Sequence, residues 1–280
     1  MEPEIFVAYM SPNGSTRVVG ETLKETFLRL KRAVSVLDLA DSSRIPPFME
    51  AIERAGDRAC LVVGAPVYGF VAVPPVMAFI DRLPDMTGAF AVPYITWGKV
   101  TSGAALWQMG KALMKKRCRI AGAAKVLALH SMVWWADHPP GEGHPDKADK
   151  RKLEELAEIL DARFGSPPVP CLSLDALDYQ PPEKAGDMKK RIGVVRKPVQ
   201  KDVDREACTR CGLCSEVCPV AAVNLNPYPE FGPACFDCLN CIRLCPEGAI
   251  TPARRLAEVE SNIRRLMRKY DERPFTQIFV

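Results

Sequence analysis

No stretch of this 280-residue chain is apolar over the roughly 18 to 20 residues that a membrane-spanning helix requires, which excludes a helical membrane protein. It also lacks a Gly-Lys-Ser/Thr triphosphate loop and any three-glycine dinucleotide fingerprint, which argues against a dedicated NAD(P)H domain. No basic stretch followed by a long apolar core precedes the first apparent strand, which begins almost directly after Met1, so the expected compartment is the cytoplasm. Basic runs occur at 181–201 and after 253, but no aromatic-interleaved patch accompanies them, and nucleic acid is not an expected partner. Histidine is scarce: His130, His138 and His144 are the only three, and all lie in or beside one segment.

Cysteine is what the chain has in plenty. Eight of its eleven cysteines form two runs of identical spacing, Cys208, Cys211, Cys214, Cys218 and Cys235, Cys238, Cys241, Cys245, closed by Pro219 and Pro246. This C-x2-C-x2-C-x3-C-P pattern, twice over, is the ligand set of two 4Fe-4S clusters. Three thiolates two residues apart wrap one corner of a cubane, while the fourth, on a short helix, faces the other cluster. Cys208, Cys211, Cys214 and Cys245 are therefore assigned to one cluster, and Cys235, Cys238, Cys241 and Cys218 to the other. Zinc is the alternative, although it needs only four ligands, usually as two separated pairs. Cys60, Cys118 and Cys171 show no partner spacing and read as ordinary thiols.

Residues 202–252 carry seven acids against three bases, while 181–201 carry seven bases against two acids and 253–273 seven against four. The basic flanks are expected as solvated surface or as cover for the acidic cysteine-rich unit.

Before that unit, apolar strands alternate with helix-period runs: strands near 5–9, 33–39, 60–64, 90–96 and 125–129, helices after Thr16 and near 75–83, 103–117 and 147–164. The expected fold is α/β, a doubly wound five-stranded parallel sheet, with a small α+β unit at its C-terminal side. Between the first strand and helix lie Ser11, Asn13, Gly14, Ser15 and Thr16, a hydroxyl-rich turn whose backbone N–H groups and helix N-terminus suit an anion, a monophosphate better than a triphosphate. A well-capped helix after a tight turn is the alternative. Ligands in such sheets collect at the carboxyl ends of strands near the switch point. There stand Pro66, Tyr68 and Gly69, and Thr96, Trp97, Gly98 and Lys99, each group offering an aromatic ring and a glycine to a flat ligand.

Over residues 4 to 165 this arrangement resembles flavodoxin. Ser11, Gly14 and Thr16 match that family's Ser/Thr-x-Thr-Gly-Asn-Thr phosphate loop, and Asn13 and Ser15 depart from it. Residues 202–252 resemble a bacterial two-cluster ferredoxin, and the whole chain resembles flavodoxin-ferredoxin fusions of anaerobes. The resemblance implies FMN, with the 66–69 loop beside the flavin N5 edge and the 96–99 loop on its other side.

The expected organisation is a flavodoxin-like FMN domain at 1–165, a Pro-rich basic linker at 166–201, a two-cluster ferredoxin domain at 202–252, and an amphipathic helix and tail at 253–280. Leu172, Leu174, Leu177 and Tyr179 predict that the linker docks on the body. Leu256, Val259, Ile263, Leu266, Met267 and Tyr270 form an apolar stripe expected to pack on the protein rather than a membrane, with Arg254, Arg255, Arg264, Arg265 and Arg268 on other faces. Met132 to Asp146 reads as a loop covering a pocket, with a histidine as a candidate proton donor. The functional expectation is electron transfer between two 4Fe-4S clusters and FMN, with a ferredoxin-type donor or acceptor oxidoreductase as redox partner. The alternative is an FMN-dependent reductase acting on a small-molecule substrate under the 132–146 loop. A homodimer is compatible with either.

Overall fold

The computed structural model describes residues 3–195, 197–253 and 256–280. Met1, Arg254 and Arg255, which enter the reading above, lie outside the described residues. β1 (Glu4–Tyr9) runs into α1 (Ser15–Arg29), β2 (Val34–Asp38) and α2 (Ile45–Ala55). Next come β3 (Ala59–Tyr68), the two-residue β4 (Val71–Ala72), α3 (Pro74–Arg82), β5 (Phe90–Trp97) and α4 (Ala105–Lys115). The short β6 (Arg119–Ile120), β7 (Ala123–Leu127) and α5 (Lys147–Phe164) complete this part. α2 is the element the periodicity did not announce. Pro46 and Pro47 interrupt its pattern, yet they occupy the first turn, where the missing N–H costs nothing.

The long strands pair in parallel in the order β2-β1-β3-β5-β7. With the two-residue strands set aside this is the 2-1-3-4-5 order, whose switch point lies between β1 and β3. Both faces are covered, as a parallel sheet requires. On one face Val7, Val62 and Tyr94 pack with Val19, Leu23 and Phe27 of α1 and Leu153, Leu156 and Leu160 of α5. On the other, Phe6, Leu61 and Val63 meet Phe48, Phe79, Leu106 and Met109. Gly64 is required at one crossing: a Cβ there would lie 2.0 Å from Cζ of Tyr94, whose hydroxyl donates to the Thr16 carbonyl at 3.2 Å.

The linker is docked. Leu172 N–H donates to the Ile120 carbonyl at 2.7 Å, Leu177 is buried beside Gly110, and α6 (Pro182–Lys189) follows. The cysteine-rich unit has little regular structure: β8 (Lys201–Val203), α7 (Leu213–Glu216), β9 (Val223–Leu225), β10 (Pro229–Phe231), α8 (Asn240–Arg243) and β11 (Ile250–Pro252). β8 pairs antiparallel with β11, and β9 with β10.

The C-terminal segment departs from the expected layout. Helix α9 (Leu256–Tyr270) packs most of its apolar stripe on the protein, with Ile263 and Tyr270 buried beside Val100, Val133 and Met188, whereas Leu256 at its start is exposed. The tail beyond it is no appendage, for β12 (Gln277–Phe279) pairs antiparallel with β7 and adds a sixth strand to the sheet edge. Among the described residues no helix is long and apolar enough to cross a membrane.

Candidate functional site

The turn from β1 to α1 is shaped by Gly14, which caps the helix at φ 89° and brings no side chain to its N-terminus. Ser11 Oγ accepts from the Arg17 N–H at 2.8 Å, and Asn13 Oδ1 from the Ser15 N–H at 3.4 Å. Ser15 and Thr16 are buried, and the Thr16 hydroxyl meets that of Thr96, at the end of β5, at 2.8 Å. Ser11 and Asn13 thus satisfy two N–H groups of the first turn, while the partial positive charge of the helix end still favours an anion and the surrounding hydroxyls and amide are neutral donors. The loop fits a phosphate.

At the end of β3, Tyr68 pairs with Val71 across a two-residue turn, in which Gly69 and Phe70 both have positive φ, 56° and 80°. Phe70 is unusual there for a bulky residue. It is held by its carbonyl, which accepts from Ala104 N–H at 2.8 Å, and by ring contact with Tyr270 at 5.0 Å. Pro66 is buried below this turn, and Tyr68 is half-buried with its hydroxyl bonded to Ser131 at 2.9 Å. Burial pushes the Tyr68 phenol well above its ordinary value, so it stays protonated. In the second loop, Gly98 gives His130 room, since a Cβ at 98 would lie 2.6 Å from the His130 Cα, and Lys99 is exposed at φ 64°. Trp97 does not join Thr96. It is 1% exposed with Lys125 Nζ 5.6 Å from its ring centroid, and its Nε1–H has no acceptor among the described residues.

The cysteines separate into two sets. Cys208, Cys211, Cys214 and Cys245 line one cavity with Arg210, Leu225 and Ile250. Cys218, Cys235, Cys238 and Cys241 interact electrostatically with one another; burial pushes the Cys238 thiol up to about 11 and the Cys241 thiol up to about 12, and the neighbouring sulfurs add to both. Bound iron would offset such crowding, because its positive charge holds a coordinating thiol deprotonated. Among the described residues no three cysteine sulfurs lie within 4.8 Å of one another. Lys201 and Asp237, which the cysteine pattern does not reveal, belong to the second set. The Lys201 side chain is fully buried, with Nζ 3.4 Å from Cys235 Sγ and 3.1 Å from Asp237 Oδ1.

This second set lies against the flavodoxin-like body. Asn240 Nδ2 donates to the Pro12 carbonyl at 2.8 Å, inside the turn that precedes α1. Arg243 Nη2 is 3.5 Å from the same oxygen, and the Phe236 ring stands 5.8 Å from that of Tyr68. The loop bearing Cys235, Cys238 and Cys241 thus touches both loops at the switch point.

One further group was invisible to motif reading. Glu272, between α9 and β12, binds Lys125 Nζ at 2.8 Å and accepts from Thr101 Oγ1, Ser102 N, Ser102 Oγ and Gln180 Nε2. Burial alone would raise Glu272, but Lys125 and these donors hold it below its ordinary value. The 132–146 segment folds back at its base, where the His130 N–H donates to the Pro140 carbonyl at 2.8 Å. Burial holds His130 near a pKa of about 4. His144 bonds Asp149 at 2.6 Å, and Asp146 and Asp149 form the capping box of α5, so these groups are occupied in starting a helix. His138 is exposed.

Residues 201–224 match the 4Fe-4S binding domain family. A 93-residue stretch is 27% identical to one subunit of the H(2):CoB-CoM heterodisulfide,ferredoxin reductase of Methanothermobacter marburgensis, covering 26% of this chain and 14% of that one. Its counterpart in Methanothermobacter thermautotrophicus matches at 26% over the same length. The chain thus spans about a seventh of these curated relatives. Among solved structures, it is similar to a rubredoxin oxygen:oxidoreductase from Desulfovibrio gigas (16% identity, 59% of this chain, 37% of that one, TM-score 0.47). It is also similar to a flavodoxin from the domain Archaea (13%, 58% and 99%, 0.41) and to an NADH:FMN oxidoreductase (20%, 60% and 95%, 0.44). The strand order itself is that of flavodoxin, so the chain joins a flavodoxin-like α/β domain to a 4Fe-4S binding region.

Proposed function

We propose that this chain is an electron-transfer flavo-iron-sulfur protein, holding FMN in the flavodoxin-like domain and two 4Fe-4S clusters in the cysteine-rich unit. The observation that carries the reading is the seating of the Cys235–Cys241 loop on the phosphate turn and on Tyr68, through Asn240, Arg243 and Phe236. Ser11, Asn13, Gly14, Ser15 and Thr16 hold the phosphate, and Pro66, Tyr68, Gly69, Thr96, Gly98 and Lys99 border the ring. Trp97 supports that border from within the core. Cys218, Cys235, Cys238 and Cys241 hold the inner cluster beside the flavin. Cys208, Cys211, Cys214 and Cys245 hold the outer one, where exposed Cys211 leaves an edge for a partner oxidoreductase.

A flavin takes or gives one or two electrons where a cluster moves one, so the pair joins a one-electron carrier to two-electron chemistry. The protein's part is to fix both centres at one junction and to hold Tyr68 neutral there. The relatives named as ferredoxin-linked reductase subunits fit a redox role in anaerobic metabolism, with electrons passing to or from a partner enzyme. A reductase with its own small substrate is the second reading, favoured by Ser131, which bonds the Tyr68 hydroxyl just before the 132–146 segment begins. Anaerobically purified protein should contain FMN and about eight iron atoms per chain, and its clusters should be seen by electron paramagnetic resonance to reduce and reoxidise with the flavin. Zinc without flavin in that preparation would overturn the proposal.

A further inference from the structure

Among the described residues the phosphate turn has no uncommitted cation of its own. Arg17, in the first turn of α1, gives its guanidinium to Asp38 at 2.7 Å. What remains is the helix N-terminus, worth roughly half an elementary charge, against a phosphate monoester carrying about two negative charges. The missing charge is on the other side of the junction. Arg243 is half-buried, and among the described residues its guanidinium meets only neutral oxygens, Pro12 O at 3.5 Å and Asn240 Oδ1 at 3.1 Å. It also lies within electrostatic reach of Tyr68.

The internal repeat isolates this feature. Each ligand of the second cysteine run stands 27 residues after its counterpart, and so do Asn240 after Leu213 and Arg243 after Glu216. Both runs keep the cysteines and a four-residue helix, α7 or α8. An apolar and an acidic residue in the first run are an amide and a cation in the second, at the two positions that touch Pro12.

We propose that Arg243 is a phosphate ligand of the flavin, supplied by the ferredoxin unit, and that Asn240 is the positioning residue that holds cation and turn together. Flavin binding and seating of the inner cluster are then one coupled event, because whatever favours the docked unit favours FMN by the same factor. This rests on the reading of residues 11–16 as an FMN site. It adds that a cluster-bearing unit completes that site.

The test uses the full chain with its clusters, stripped of flavin and titrated with FMN and with riboflavin, which lacks the phosphate, by flavin fluorescence. Arg243→Gln should weaken FMN by about 10- to 100-fold, the usual worth of a charge-assisted bond, while riboflavin affinity stays within about twofold. Arg243→Lys should recover part of the loss, as a point charge without the planar fork. Equal losses for the two flavins would mean that Arg243 acts on docking alone, and the phosphate assignment would fall; unchanged FMN affinity would sink it as well. Iron content is measured on each variant, and if Arg243→Gln loses iron, Arg243→Lys decides by the same FMN-to-riboflavin ratio. Wild-type protein that binds neither flavin would overturn the FMN reading itself, a result distinct from all of these.

Discussion

Between β1 and α5 the sheet buries apolar side chains on both faces, whereas residues 201–252 bury only Ala222, Val223, Pro229, Leu239, Cys241, Ala249 and Ile250 among the apolar residues. The strands differ in the same way: six to ten residues in β1, β3 and β5, three in each of β8 to β11. The first region is a core that stands by hydrophobic burial, and the second is a shell around its metal sites. On the proposed reading, a cofactor adds function to the body, whereas metal stands in for a core in the cysteine-rich unit.

Removing iron is the strongest way to break that contrast, since small metal-dependent units draw on the order of 10 kcal/mol of folding free energy from the metal. After chelation, amide exchange in 201–252 should lose its protection while β1, β3 and β5 keep theirs. Simultaneous loss in both regions would show that they share one stability.

A second perturbation strikes where the C-terminus clasps the body. The Lys125 and Glu272 side chains are 4% and 11% exposed, and Glu272→Gln leaves a buried ammonium without its countercharge. Such a break costs about 3–5 kcal/mol. A matching fall in thermal midpoint and faster proteolysis around α9 are expected, with cluster content unchanged. Because Glu272 sits below its ordinary value of 4.5 in the fold, its contribution is complete above that pH and is lost as pH falls through the lower folded value.

His130 gives the smallest effect and locates the 132–146 segment within the comparison. Its folded pKa of about 4 lies below the ordinary 6.5, so in that window the unfolded chain binds the proton and the folded one does not. Stability should decline as pH drops from about 6.5 to about 4, and His130→Gln should flatten that slope in a pH series of denaturant midpoints. An unchanged slope would mean that His130 is not held neutral by the fold.

The parallel sheet was legible because both of its signals are local: apolar runs of strand length, and Val19, Leu23 and Phe27 at helical spacing. The grouping of the cysteines was legible for a similar reason, since it follows from their spacing along the chain. α2 was not, because Pro46 and Pro47 read as breakers until their place in a first turn is known. Trp97 shows the limit within a recognised motif. Strand alternation sends it to the opposite side of β5 from Thr96, and the residue pattern at a strand end does not say which side the ligand takes. Lys201 lay among the basic residues of the linker, with nothing local to mark it as the neighbour of Cys235.

By itself, the sequence determined the five long parallel strands and most of the helices between them, the grouping of the cysteines and the turn at Ser11 to Thr16, all of which depend on residues a few positions apart. Only the tertiary structure decided that β12 closes the sheet edge, that Glu272 meets Lys125, and that the Cys235–Cys241 loop rather than its 27-residue twin rests on the turn before α1. These contacts join residues separated by more than a hundred positions, such as Pro12 and Asn240. No periodicity encodes them, because their energy comes from surfaces that exist only once each part has folded.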